Sequence, residues 1–226
     1  MNFLAQTLTI AAKDLRSEFR TKESLNAAFS FALVILVLFS FVMDPAGAEM
    51  KEISGGLLWL VFSFAGALIL NRSFSRELPN DCLDALIASP ISGAALFTGK
   101  ALANFIFLIL IELFALPAFG VLYNISWMSR PGWLALVLAL GTWGMTVIGT
   151  VFSALTVNLR LRELMLPTLI YPMMIPVLMA AMRLTTVLVS GDPIGGDDWI
   201  WFRVLIGFDI IFTSLAVALV ETILLG

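Results

Sequence analysis

Six long apolar stretches run through this chain, and nearly all of its charges fall between them. Their approximate bounds are Leu25–Met43, Ile53–Leu70, Ala101–Leu122, Gly132–Val157, Leu164–Met182 and Ile200–Ile223. Most reach the length a helix needs to cross roughly 30 Å of hydrocarbon, about 17–25 residues. The fourth has enough residues to tilt or to extend past the membrane. Mean hydropathy is +1.01 and charged residues make up 13% of the chain, against about a quarter in soluble domains. A β-barrel would instead show segments of about ten alternating residues, and none is present. The expected fold class is an all-α integral membrane protein with six transmembrane helices.

The rest of the composition narrows the chemistry. Cys82 is the single cysteine, so no intrachain disulfide forms, and histidine is absent. No imidazole is therefore available as a metal ligand or proton relay. A cleavable signal peptide is not expected, because residues 1–23 are polar-amphipathic and no Ala-x-Ala-like site follows the first apolar run. With the N-terminus inside, the inner segments hold Lys13, Arg16, Arg20, Lys22, Arg72, Arg76, Lys100, Arg160 and Arg162, and the outer ones Lys51, Arg130, Arg183 and Arg203. This bias favours both termini on the inner side. Basic residues are too few, and too close to headgroups, to imply nucleic-acid binding.

Residues 1–24 read as a unit of their own. Phe3, Leu4, Leu8, Ala11, Ala12, Leu15 and Phe19 recur at helical spacing, with Lys13, Asp14, Arg16, Glu18 and Arg20 over much of the remaining surface. The pattern predicts an amphipathic helix in the inner interface, its basic residues toward lipid headgroups. The six-span domain then occupies residues 25–226, with the longest inner loop at 71–100. In that loop Pro79, Asn80 and Asp81 form a turn and helix start. Leu83, Leu86 and Ile87 make a small apolar face, Ser89-Pro90 breaks the run, and a second short helix is expected from Ser92. Such an element suits docking of a cytosolic partner, or it is a structural elbow.

Several residues interrupt the spans. Glu112 lies deep in the third, where a carboxylate is costly and often functional, and Pro117 disturbs the backbone nearby. Three readings stand for Glu112: a pathway or gating residue, an acid hydrogen-bonded to a neighbouring helix, or a residue of a shallow half-helix. Asp209 in the sixth span is expected to face a polar cleft or a partner, whereas Glu221 lies close enough to the inner face to be solvated. The fourth span carries Gly141, Gly144 and Gly149 among threonines and serines, either a packing seam or a substrate groove. Pro167, Pro172 and Pro176 in the fifth mark a moving element or a fixed bend. Trp127, Trp133, Trp199 and Trp201 near outer span ends read as interfacial anchors.

No ATP site is expected. The segment GAALFTGK at 93–100 fails the G-x-x-x-x-G-K-[ST] pattern, because five residues separate Gly93 from Gly99 and Ala101 replaces the Mg²⁺-binding hydroxyl. No serine, cysteine or metal constellation for hydrolysis is evident.

Three segments carry a family resemblance. NDCLDALIASP at 80–90 resembles the D-G-x-L-E-x-L-L-x-S-P segment of type-2 ABC exporter permeases, with Asp81 in place of glycine and Asp84 in place of glutamate. GTWGMTVIGTVFSALTVNLR at 141–160 and LMLPTLIYPMMIPVL at 164–178 resemble the fourth and fifth spans of the haem exporter B family of cytochrome c maturation system I. Span number and length match over essentially the whole chain. The resemblance implies a type-2 ABC exporter permease fold in the bacterial inner membrane. It implies a cytosolic ATPase partner acting as a dimer, which brings the ATP and Mg²⁺. It also implies a haem-handling membrane protein, a small single-span subunit, a haem chaperone and room for a second permease copy. In that family ATP hydrolysis is associated with release of the haem-loaded chaperone. Haem is then handled elsewhere in the complex, and no cofactor is expected on this chain. Glu77, Asp81, Leu83, Asp84, Leu86, Ser89 and Pro90 become the candidate ATPase-coupling residues, and Glu112, Pro172, Pro176 and Asp209 candidate pathway or gating residues. Two other functions remain open at this stage: a general type-2 exporter of lipid, polysaccharide or drug, and a non-transporting assembly scaffold.

Overall fold

The computed structural model describes residues 2–43, 47–78, 82, 86, 90–157, 159 and 162–225. Seven long α-helices occur among them: α1 (Phe3–Thr21), α2 (Glu23–Val42), α3 (Ala48–Ser75), α4 (Gly93–Tyr123), α5 (Pro131–Thr156), α6 (Arg162–Val189) and α7 (Asp198–Leu225). Six of these, α2 to α7, are long and apolar enough to cross a membrane, and α1 is not. The chain folds as an all-α multi-pass membrane protein, consistent with a type-2 ABC permease.

Burial orders the bundle. In α3 and α5, 67% of the most apolar window is enclosed by protein, against 22% in α2 and 28% in α7. The first pair is therefore central and the second peripheral, with long apolar faces left for lipid or partners. Helix α6 packs on both α3 and α5, α7 packs on α5 and α6, and α1 lies against the start of α4.

The small residues of α5 explain its central place. A Cβ at Gly141 would lie 2.2 Å from the Trp59 ring, one at Gly149 would lie 2.3 Å from Leu70, and one at Gly144 would lie 2.8 Å from Asp209 Oδ1. Each missing side chain admits a group from α3 or α7, so the stripe is a packing seam. Trp59 is fully buried, and its indole N–H donates to Thr185 Oγ1 of α6 at 2.9 Å. A large apolar ring is thereby enclosed without an orphaned donor. At the far end of α4, the Tyr123 hydroxyl donates to the Leu36 carbonyl at 2.7 Å and ties α4 to α2.

Two local expectations are corrected. The short helix expected from Ser92 is the first turns of α4 itself. Ser92 Oγ accepts from the Ala95 N–H at 3.2 Å, and the helix runs on through Pro117 to Tyr123. Helix α6 is continuous through Pro167, Pro172 and Pro176. The basic residues of α1 do not all face headgroups. Arg16 and Arg20 are exposed, but Lys13 is paired with acids of the protein.

Candidate functional site

Helix α1 has three faces, which explains why a simple amphipathic reading of it is incomplete. At 100° per residue, Thr7, Ile10, Ala11, Asp14 and Glu18 fall together and turn toward the bundle, while Leu4, Leu8 and Phe19 remain exposed on the adjacent face. The α1 backbone comes very close to α4. A Cβ at Gly99 would stand 2.8 Å from both Ile10 Cβ and the Thr7 carbonyl oxygen, so only glycine permits the contact.

This docking brings charges together at one end of the bundle. Lys100 of α4 is 1% exposed. Its ammonium donates to Glu77 Oε1 at 3.0 Å, Asp14 Oδ2 at 3.1 Å and the Ser73 carbonyl at 2.9 Å. It also lies 5.0 Å from the centre of the Phe74 ring. Lys13 donates to the same Glu77 oxygen. All three donors that an ammonium can offer are used, which is what a buried lysine requires. Burial drives the Glu77 carboxyl upward, but Lys100 and then Lys13 outweigh it and hold Glu77 below the usual carboxylate range. Burial alone would lower Lys13, but its hydrogen bond to Glu77 and the charges of Asp14 and Glu77 leave it raised.

A second ion pair, buried at its carboxylate, lies beside the first. Glu18 is 1% exposed and receives hydrogen bonds from the Arg76 guanidinium and from the Leu25 N–H, the latter at 2.9 Å. Arg76 also donates to the Ser24 hydroxyl. Glu18 thus caps the start of α2 while pairing with the residue that ends α3. A cavity of about 180 Å³ opens between these groups.

The junction brackets the inner segment at both edges. Glu77 follows α3 directly, and the Pro90 carbonyl, just before α4, accepts from Gln6 Nε2 at 3.2 Å. Helix α1 therefore touches both flanks of the segment between α3 and α4. Of the candidate coupling residues, Glu77, Leu86 and Pro90 are described. Leu86 is half-buried in helical backbone. Asp81, Leu83, Asp84 and Ser89 lie outside the described residues.

The polar contacts continue into the membrane along α4. Asn104, one turn beyond Lys100, donates to Ser73 Oγ at 2.8 Å and to Thr150 Oγ1 at 3.0 Å, joining α3, α4 and α5. Glu112 stands twelve residues beyond Lys100, about 18 Å along the helix. It is 2% exposed, and the Thr142 hydroxyl of α5 donates to it. Asp209 of α7 is 7% exposed and sits against Gly144 on another side of α5. Glu112 and Asp209 are thus held apart by α5 and share no polar contact. Pro172 and Pro176 are on the exposed face of α6 with Leu169 and Met179, away from both acids.

Sequence reasoning missed Lys13, Asp14, Glu18, Arg76, Lys100 and Asn104 as one network. A signal existed. Asp14 and Glu18 are four residues apart on the buried stripe of α1, and Lys100, Asn104 and Glu112 repeat at multiples of four on α4. That spacing puts polar groups on one face. Among the described residues no group of three or more His, Cys, Asp or Glu gathers to hold a metal ion.

Known proteins resemble the chain along most of its length. It is similar to "Heme exporter protein B" of Rhodobacter capsulatus, 35% identical over 171 residues, covering 75% of this chain and 77% of that one. It is similar to the protein of the same name from Paracoccus denitrificans, 31% identical with 74% and 76% covered. The one from Pseudomonas aeruginosa is 28% identical with 92% and 93% covered. The family model described as CcmB protein matches residues 5–222. A match of that extent, together with the six spans, shows that this chain belongs to the CcmB family.

Proposed function

We propose that this chain is the permease subunit of an ABC-type complex of cytochrome c maturation, coupling a partner ATPase to haem export or to release of a haem-loaded chaperone. The CcmB family match and the relatives named heme exporter protein B support that role. Both termini then face the cytoplasm, and α1 lies in the inner interface with Leu4, Leu8 and Phe19 toward lipid. ATP and Mg²⁺ belong to a cytosolic ATPase dimer. A haem-handling membrane protein, a small single-span subunit, the chaperone and a second permease copy complete the assembly in this reading.

In this reading the ATPase docks on the inner segment through Glu77, Asp81, Leu83, Asp84, Leu86, Ser89 and Pro90. One observation carries the coupling argument: α1 and Lys100 hold both flanks of that segment, at Glu77 and at Pro90. A displacement of the segment then acts on a buried charge cluster rather than on solvated loop. Lys100 and Asn104 connect that cluster to α3 and α5, so motion reaches the packing seam. Glu112 against Thr142 and Asp209 against Gly144 serve as gating contacts on two sides of α5. Pro172 and Pro176 supply the positions where α6 bends, since each removes a backbone N–H from the helix ladder.

The test is recovery of the ATPase with the affinity-purified permease. Leu83→Asp and Asp84→Arg should each reduce co-purified ATPase at least tenfold, while Arg203→Gln at the opposite end leaves it unchanged. Undiminished recovery with folded variants refutes docking at 77–90.

A further inference from the structure

A groove opens at the end of the bundle away from α1, between α2, α3 and α6. Its volume is about 550 Å³, within the range of about 300–1,000 Å³ typical of small-molecule sites. Phe39, Ile53, Leu57, Leu60 and Met179 supply apolar walls. Gly56 lies on the α3 wall, and a Cβ built there meets nothing within 4 Å. The helices therefore do not close on this glycine as they close on Gly141 or Gly149. The groove is space the fold leaves open rather than a packing contact.

The polar groups of the groove stand at one depth. Glu52 is four residues into α3, Arg183 six from the end of α6, and Trp201 three into α7. These positions are about 6, 9 and 4.5 Å from their helix ends. From Glu52 to Leu60 the apolar wall extends about 12 Å inward. Arg183 has a side chain 59% exposed, and its Nε meets Asp198 only at 3.6 Å. That is well beyond the roughly 2.8 Å of a charge-assisted hydrogen bond, so the guanidinium keeps capacity for an anion. Glu52 is exposed at the same mouth.

We infer that this groove binds a zwitterionic phospholipid, with one acyl chain between α3 and α6, the phosphate on Arg183 and the ammonium on Glu52. Three features select this class. An apolar slot ending at an interfacial tryptophan fits a chain lying along the membrane normal. Among the described residues, Arg183 and Glu52 set a cation and an anion at the mouth that match a phosphoethanolamine group, with Asp198 3.6 Å from the Arg183 Nε. A dianionic amphiphile would meet Glu52 as a like charge beside Arg183. The site itself does not depend on the family reading; only its assignment to the outer leaflet rests on the orientation proposed above.

The test uses the full chain purified in its membrane complex, with retained lipids identified by native mass spectrometry. Wild-type protein should hold phosphatidylethanolamine in excess over its share of the source membrane. Gly56→Leu fills open space and should lose one lipid per chain with no loss of subunits. Glu52→Arg keeps the slot and should exchange phosphatidylethanolamine for phosphatidylglycerol. Retention of the same lipid count in Gly56→Leu overturns the site. An unchanged headgroup in Glu52→Arg overturns the headgroup assignment. Loss of a protein subunit instead of a lipid in Gly56→Leu would show that a partner helix occupies the groove, and overturns the proposal.

Discussion

Lys100→Met should destabilise the protein by much more than loss of an ordinary surface charge. The ammonium is 1% exposed and neutralises Asp14 and Glu77, whose side chains are 15% and 12% exposed. Removing one partner of a buried ion pair costs about 3–5 kcal/mol, because the other charge stays desolvated without compensation. Two features place this case near the lower end. The carboxylates retain some access to water, and Lys13 still bonds Glu77. A cost of about 3 kcal/mol corresponds to a change of roughly 150-fold in the folded equilibrium. Lys13→Met is the control, since its side chain is 44% exposed and exposed pairs contribute about 0–1 kcal/mol. Thermal unfolding of detergent-purified variants would compare them. A nitroxide at position 16, in a Cys82→Ser background, would report whether α1 leaves α4. The triple variant Asp14→Asn, Glu77→Gln, Lys100→Met should recover most of the loss, because no buried charge is left unpaired. If Lys100→Met is no worse than Lys13→Met, or the triple variant is worse than Lys100→Met alone, the network does not hold α1 in place.

The same cluster predicts a pH response. Glu77 is held below its ordinary value of 4.5, so its contribution is present above that value and is lost as pH falls through its folded pKa. Lys13 is raised above 10.5, so its contribution is present below that value and is lost as pH rises through its folded pKa. Docking of α1 should therefore be firm between these limits, and Glu77→Gln should flatten the acid arm seen by the position-16 label; an unchanged acid arm would contradict this. In the packing seam, Gly141→Ala brings a methyl to 2.2 Å from the Trp59 ring and should cost about 1–3 kcal/mol by overpacking. Gly207→Ala, where a Cβ meets nothing, should stay within about 0.5 kcal/mol of wild type. Equal melting shifts for the two would refute the seam.

The spans were legible because each is long, apolar and bounded by charge, and a membrane leaves the backbone of such a segment little choice but helix. Their ends were less so. Helix α4 begins at Gly93 rather than Ala101, because Ser92 caps it and Lys100 finds partners, so polarity did not mark the helix end. The three prolines of α6 suggested a moving element or a fixed bend, and the helix is continuous through all three. Glu112 announced itself as a carboxylate among leucines and isoleucines. That Thr142 answers it is not written in the spacing of either helix, since it depends on how α4 and α5 are rotated against each other.

Sequence alone determined that this chain crosses a bilayer, roughly where, and to which family its interrupted spans are similar. Those properties depend on local composition and on residues close together along the chain. Tertiary structure decided which charges meet. Lys13, Asp14, Glu77 and Lys100 are spread over 88 positions from first to last, and the same residues on helices turned otherwise would be four solvated charges. Only the close approach of α1 to α4 at Gly99 makes them one junction around the buried Lys100, because electrostatic partnership depends on distance and burial, and neither is a local property of sequence.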